Sequence, residues 1–182
     1  EEIFRQYDGS RFYMSREGDL DAYLSLGATP EQERVWRQEM IAEKIRDART
    51  GDTRALTSLL TLEAVEALLE LAKLVSERDG FYRVRCAETV WRLADLPSAA
   101  GDEVRTAVRA AEGSCREIAA GKFSDPGAVS EMMLELDGAP DARAYVIGRA
   151  RNNLLDHARS PSGRIWAALS GRSEPGSPSA PF

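Results

Sequence analysis

Histidine occurs once, at His157, and cysteine twice, at Cys86 and Cys115. Two cysteines are too few for a disulfide-stapled domain or for a structural zinc site. On helices, in a reducing compartment, they read as small apolar core side chains. A single histidine leaves any Ser–His–Asp or Cys–His arrangement with one candidate base. That residue stands beside Asp156 at the end of the last helix, where a solvated histidine favoured by the helix dipole is expected. Gly51, Gly80, Gly101 and Gly121 are isolated, so the sequence holds no glycine-rich phosphate loop. No apolar run approaches the ~20 residues that cross a bilayer, and no secretory signal is read at the start. The expectation is a cytoplasmic protein with no cofactor, no metal and no membrane contact. Lysine is scarce as well, three against 21 arginines. GC-rich coding of a bacterial kind accounts for that bias, and bidentate pairing of arginine with carboxylates is the alternative.

Apolar residues make up 43% of the chain and charged residues 30%, an ordinary globular balance. The net charge of −6 argues against a nucleic-acid binder whose affinity rests on phosphate neutralisation.

Three segments differ in pattern. In residues 1–28, Ile3 to Tyr7 and Ser10 to Met14 flank Asp8-Gly9, which predicts a short β-hairpin through a tight turn with positive φ. Phe4, Tyr7, Phe12, Tyr13 and Tyr23 should then pack on a neighbouring helix. Residues 29–157 read as helices. Thr29-Pro30-Glu31-Gln32 is a capping box with proline in the first turn, opening a helix to about Ala48 that buries Trp36, Met40, Ile41 and Ile45. A short helix from Asp52 to Leu60 follows. Thr61 is expected to cap the next, carrying Leu62, Val65, Leu68, Leu69, Ala72 and Val75, with Glu63, Glu66 and Glu70 opposite. Phe81 to Asp95 places Val84, Ala87, Trp91 and Ala94 inward. The break at Leu96-Pro97-Ser98 should turn the helix of Asp102 to Ala120 antiparallel to it, with Cys86 and Cys115 in one layer. Asp125-Pro126 is expected to open a helix through Val129, Met132, Met133 and Leu136, and Pro140 a last one to His157. Residues 158–182 read as a Ser/Pro/Gly-rich tail that holds an apolar island, Ile165 to Leu169, around Trp166.

The pattern Val84-Arg85-Cys86-Ala87-Glu88 with Arg92 recurs as Val108-Arg109-Ala110-Ala111-Glu112 with Arg116. The stretch from Asp79 through Val84-Arg85 and Cys86-Ala87 to Leu93-Ala94-Asp95 resembles the second helix of a HEAT or armadillo-type repeat. Thr61 to Val75 would be its partner. The resemblance implies an all-α stack of antiparallel helix pairs, a short HEAT-like solenoid or an irregular bundle, that binds partners along one face and carries no chemistry.

Carboxylates are the only catalytic raw material in quantity. Glu63, Glu66 and Glu70, or Glu131 and Glu135, could hold a hard cation or form an acid/base pair; solvated helix surfaces show the same spacing. The arginine rows either pair with Glu88 and Glu112 along their helices or meet an acidic partner. The leading expectation is a protein-binding module: an adaptor, a regulatory subunit or a small immunity-type inhibitor. Its partner-binding candidates are Arg85, Arg92, Arg109, Arg116 and Trp166. The alternative is a HEAT-like nucleic-acid protein such as a DNA-repair glycosylase, using Trp91 and Arg85 on a cationic concave face. An enzyme with paired carboxylates is a third.

Overall fold

In the computed structural model, which describes residues 1–160 and 163–164, the chain is helical from its second residue. The α-helices are α1 (Glu2–Gln6), α2 (Arg11–Glu17), α3 (Leu20–Ser25), α4 (Pro30–Thr50), α5 (Thr53–Thr61), α6 (Leu68–Glu77), α7 (Gly80–Ala94), α8 (Asp102–Ala119), α9 (Glu131–Asp137) and α10 (Ala142–Arg159). A 3-10 turn at Val65–Ala67 precedes α6.

The N-terminal hairpin is absent, and its turn explains why. Asp8 and Gly9 do adopt positive φ, 48° and 70°, but they end a helix. The Gly9 N–H donates to the Phe4 carbonyl at 2.8 Å, and Ser10 caps α2 through the Tyr13 N–H. Phe4 and Tyr7, three apart, share a helical face, and the Phe4 ring lies 5.6 Å from that of Trp36 on α4. As strands these segments would have had no third strand to cover their backbone. Phe4 and Tyr23 are buried, whereas Phe12 is 70% exposed, so the expected aromatic packing is only partly formed.

The capping box of α4 is formed in both directions by Thr29 and Gln32, satisfying two N–H groups the helix leaves free. Thr61 caps nothing. It is the last residue of α5, and its hydroxyl donates to the Thr57 carbonyl. Buried Leu62 and Ala64 carry the apolar face of α5 onward, and Glu63 turns the chain with φ 49°. The helix expected at Pro126 begins only after Ser130, which caps α9. Asp125 accepts from the Gly127 N–H at 2.9 Å, and Gly127 is left-handed at φ 75°, so Asp125-Pro126 makes a turn.

Side-chain bonds fix the helix directions. Arg37, early in α4, donates to the Leu62 carbonyl at the end of α5 at 2.8 Å, so α4 and α5 are antiparallel. Arg83 at the start of α7 pairs with Glu117 at the end of α8 at 2.5 Å, which makes these antiparallel too. Arg143 donates to the carbonyls of Gly121 and Phe123 and Arg151 to that of Ala119, so α10 opposes α8. Beside α7, α10 runs parallel, with Phe81 against Tyr145, Glu88 against Arg149 and Trp91 against His157. α6 packs on α7 and α8, and α5 on α7. Between these helices Leu56, Leu59, Val75, Val84, Leu93 and Ile118 are fully buried, each contributing about 1.5–3 kcal/mol by leaving water.

The loop between α8 and α10 is tied to the start of α7. The Asp79 carboxylate accepts from the N–H groups of Gly80, Ser124 and Asp125 at 2.9, 2.8 and 3.1 Å, and the Phe81 N–H donates to the Pro126 carbonyl at 2.8 Å. Burial alone would raise the Asp79 pKa, but the N–H donors outweigh it and hold it below the usual carboxylate range. Among the described residues no helix is long and apolar enough to cross a membrane.

Candidate binding cleft

α7 and α10 each carry an inward stripe to their C-terminal ends. On α7 it is Val84, Ala87, Trp91 and Ala94; on α10 it is Val146, Ala150, Asn153 and His157, all buried. Where the stripes meet, the Trp91 indole and the His157 imidazole lie face to face, 4.6 Å between centroids and 7° between planes. The expected solvated histidine is therefore corrected: His157 is 7% exposed. The helical stripe runs one turn further than its apolar residues, and local bonds close its end. The Ser160 N–H and hydroxyl donate to the His157 carbonyl at 3.0 and 2.8 Å, and the Gly163 N–H donates to the Ser160 hydroxyl at 3.1 Å. Burial pushes the imidazole pKa below its ordinary value, while Glu112 and Asp95 act in the opposite direction. The neutral ring offers one N–H donor and one acceptor.

Against this stack lies a cleft of about 500 Å³, lined by Trp91, Arg92, Asp95, Asn153, Asp156, His157 and Arg159 among others. Of the seven buried side-chain polar atoms that have no hydrogen-bond partner among the described residues, five belong to lining residues: Trp91 Nε1, Arg149 Nε, Asn153 Nδ2 and both His157 nitrogens. Buried polar groups are normally satisfied, and unsatisfied ones concentrate where a ligand or water completes the site. Arg92 and Arg159 are exposed at the rim, and neither forms an ion pair among the described residues. A second cleft, about 270 Å³, is lined by Thr53, Arg54, Thr57, Phe81, Arg85, Met133, Tyr145 and Arg149. The two share Arg149, which donates to Glu88 at 3.2 Å, and Arg85 donates to the same carboxylate at 2.8 Å.

Of the residues singled out in the sequence, Arg92 lines the first cleft and Arg85 the second. Arg116 pairs with Glu112 on α8 at 2.5 Å, and neither it nor Arg109 reaches these clefts. Trp166 and its apolar island lie outside the described residues. Asn153, His157, Arg149 and Arg159 were not anticipated. The signal that could have found the first two is the 146, 150, 153, 157 spacing, which sets two polar residues on a buried stripe.

Of the carboxylates chosen as cation or acid/base candidates, Glu131 and Glu135 share α9, whereas Glu63, Glu66 and Glu70 do not share one helix. Glu63 and Glu66 lie outside α6. Glu66 pairs with Arg37 at 2.5 Å, and Glu70 pairs with both Arg49 and Lys73. Among the described residues no three of His, Cys, Asp and Glu are grouped to hold a metal ion. Cys86 and Cys115 are free, buried thiols, each pushed up to about 12 in pKa by burial.

No family model matches the chain, and no curated protein or solved structure compared with it does so either.

Proposed function

We propose that the chain is a cytoplasmic protein-binding helical module, an adaptor, a regulatory subunit or a small immunity-type inhibitor, that grips its partner in the cleft between α7 and α10. The observation that supports this reading is the gathering, along that one cleft, of five buried polar atoms and two arginines, Arg92 and Arg159, that have no partner among the described residues. A site that recognises without reacting needs such groups and no catalytic set.

The architecture that goes with it is a short HEAT-like stack of three pairs, α4 with α5, α6 with α7 and α8 with α10. Two features support it. Helices α7 and α10 run side by side in parallel, and α5 also packs on α7. Pair members α4 and α5, and α8 and α10, run antiparallel. In such a stack α5, α7 and α10 form one layer and present a continuous partner-binding surface. α9 is an excursion between the last two helices. The nucleic-acid alternative asks for Trp91 and Arg85 on an open cationic face. Trp91 instead lies under His157 with 5% exposure, and Arg85 is bonded to Glu88.

The test is affinity capture from the source cell with the wild-type chain and with Asn152→Trp, which places a bulky side chain on the exposed cleft lining. The expected result is one or more proteins retained by the wild type and lost by the variant. Identical captured sets from two folded proteins would refute the cleft as the binding site.

A further inference from the structure

The second cleft, unlike the first, has no carboxylate in its lining. Helices α5 and α10 both pack on α7, and each of the three gives the cleft two residues one turn apart. These are Thr53 and Thr57 on α5, Phe81 and Arg85 on α7, and Tyr145 and Arg149 on α10, a spacing that sets both members on one helix face. The helix ends are closed by the carboxylates of Asp52, Asp79 and Asp141, none of which lines the cleft. Its chemistry is therefore that of its side chains.

Tyr145 is the residue left incomplete. It is 7% exposed, with its ring 5.8 Å from that of Phe81, and its hydroxyl has no hydrogen-bond partner among the described residues. That oxygen is not one of the atoms sealed from the surface, so it opens on the cleft that the residue lines. A tyrosine buried to this extent ordinarily has its O–H satisfied. The arginines beside it are only partly committed. Arg85 Nη1 and Arg149 Nη2 share the one Glu88 carboxylate, so the trio keeps a positive charge. Arg85 Nη2 and Arg149 Nη1 have no partner among the described residues and are not sealed from the surface either. Arg54 meets the capping Asp52 only at 3.8 Å.

We propose that this cleft binds the phosphoryl group of a small phosphomonoester, with Tyr145 and Arg85 as its main ligands and Arg149 and Thr57 completing the shell. Phosphoryl oxygens are charged acceptors, and N–H and O–H donors reaching them from three helices form charge-assisted bonds. A donor set arranged on several sides suits a tetrahedral group better than a flat carboxylate. At about 270 Å³ the cleft falls just below the roughly 300–1,000 Å³ of sites that enclose larger ligands. It therefore takes a short organic portion against Phe81 and Met133 and not a nucleotide. This site goes beyond the protein-binding reading and does not rest on it, since the two clefts share Arg149 alone.

The probe is phenyl phosphate, titrated at constant ionic strength into the isotope-labelled full chain while backbone amide shifts are followed by NMR. Benzoate, the same ring with a carboxylate, is the comparison arm. Saturable shifts are expected at the amides around Thr57, Phe81 and Tyr145, with benzoate binding more weakly. Tyr145→Phe keeps the ring on Phe81 and removes only the hydroxyl, and Arg85→Gln removes one guanidinium. Each should weaken phenyl phosphate by about tenfold or more, whereas Arg92→Gln, in the first cleft, should bind as the wild type does. Circular dichroism checks that the variants are folded, and Tyr145→Phe decides the matter if Arg85→Gln is not. No saturable binding of phenyl phosphate, equal affinity for benzoate, undiminished binding by Tyr145→Phe, or an equal loss in Arg92→Gln would each overturn the proposal.

Discussion

Replacing Gly80 by alanine should be among the most damaging single-methyl additions to this fold, and its two costs can be separated. Gly80 has φ +54°, where an L-residue is strained by roughly 1–2 kcal/mol. A Cβ built there would also overlap the Asp125 carbonyl oxygen and sit 2.5 Å from the carbonyl carbon and oxygen of Pro126. Those are backbone atoms, so the loop must shift as a piece, putting at risk the Phe81–Pro126 bond and the Asp79 bonds to Ser124 and Asp125. With each such bond worth about 0.5–1.5 kcal/mol net, strain and lost bonds together reach about 3–5 kcal/mol. Gly51 is the control. It is also left-handed, at φ +95°, but a Cβ there meets nothing within 4 Å, so Gly51→Ala should cost only the strain, about 1–2 kcal/mol. Urea unfolding followed by circular dichroism measures both. If Gly80→Ala is no more destabilising than Gly51→Ala, the loop is not held against α7 as described.

Gly113 lies inside α8 with nothing within 4 Å of an added Cβ and no positive φ, so Gly113→Ala should stabilise by about 0.5–1 kcal/mol in the same assay. Because burial lowers the His157 pKa, the folded state binds fewer protons than the unfolded one. Stability is then fully present above the unfolded value of about 6.5 and declines as pH falls through the folded value. With no other histidine in the chain, His157→Phe, which keeps the stack on Trp91, should flatten the stability profile just below neutrality; an unchanged slope would place the titration elsewhere. Cys86 and Cys115 should resist Ellman's reagent at about pH 8 in the native protein and both react in denaturant. Rapid labelling of either in the folded state would contradict its burial.

The helices of the body were legible because their signals are local. Thr29 and Gln32 are three residues apart, and the stripes of α7 and α8 repeat at the helical period. The N-terminal segment was misread because Asp8-Gly9 dictates a left-handed turn without dictating what it joins. Strand or helix was decided by Phe4 reaching Trp36, a contact across more than thirty positions. Thr61 and Pro126 failed for the opposite reason. Each is a competent helix start by type, but burial of Leu62 and Ala64 and the grip of Asp79 on Ser124 and Asp125 overrode local preference. The cleft was half legible. Arg92 stood out by its spacing, while Asn153 was not singled out and His157 was read as solvated at a helix end, although their positions on the α10 stripe carried the information.

The tie between Asp79 and the Ser124–Asp125 segment has a consequence for the order of assembly. Helices α4 to α8 meet neighbours close in the chain, so their pairing closes short loops and proceeds without waiting for the rest. α10 cannot dock beside α7 until more than forty residues of intervening chain have been gathered in, and the Asp79 contacts shorten that search by fixing its midpoint. During synthesis, α7 and α8 would emerge with Trp91 uncovered, and the cleft would form only when His157 had left the ribosome. The cleft is thus the last part of the described structure to form. A chain stopped before α10 would display, in place of a cleft, the apolar stripe that α10 covers.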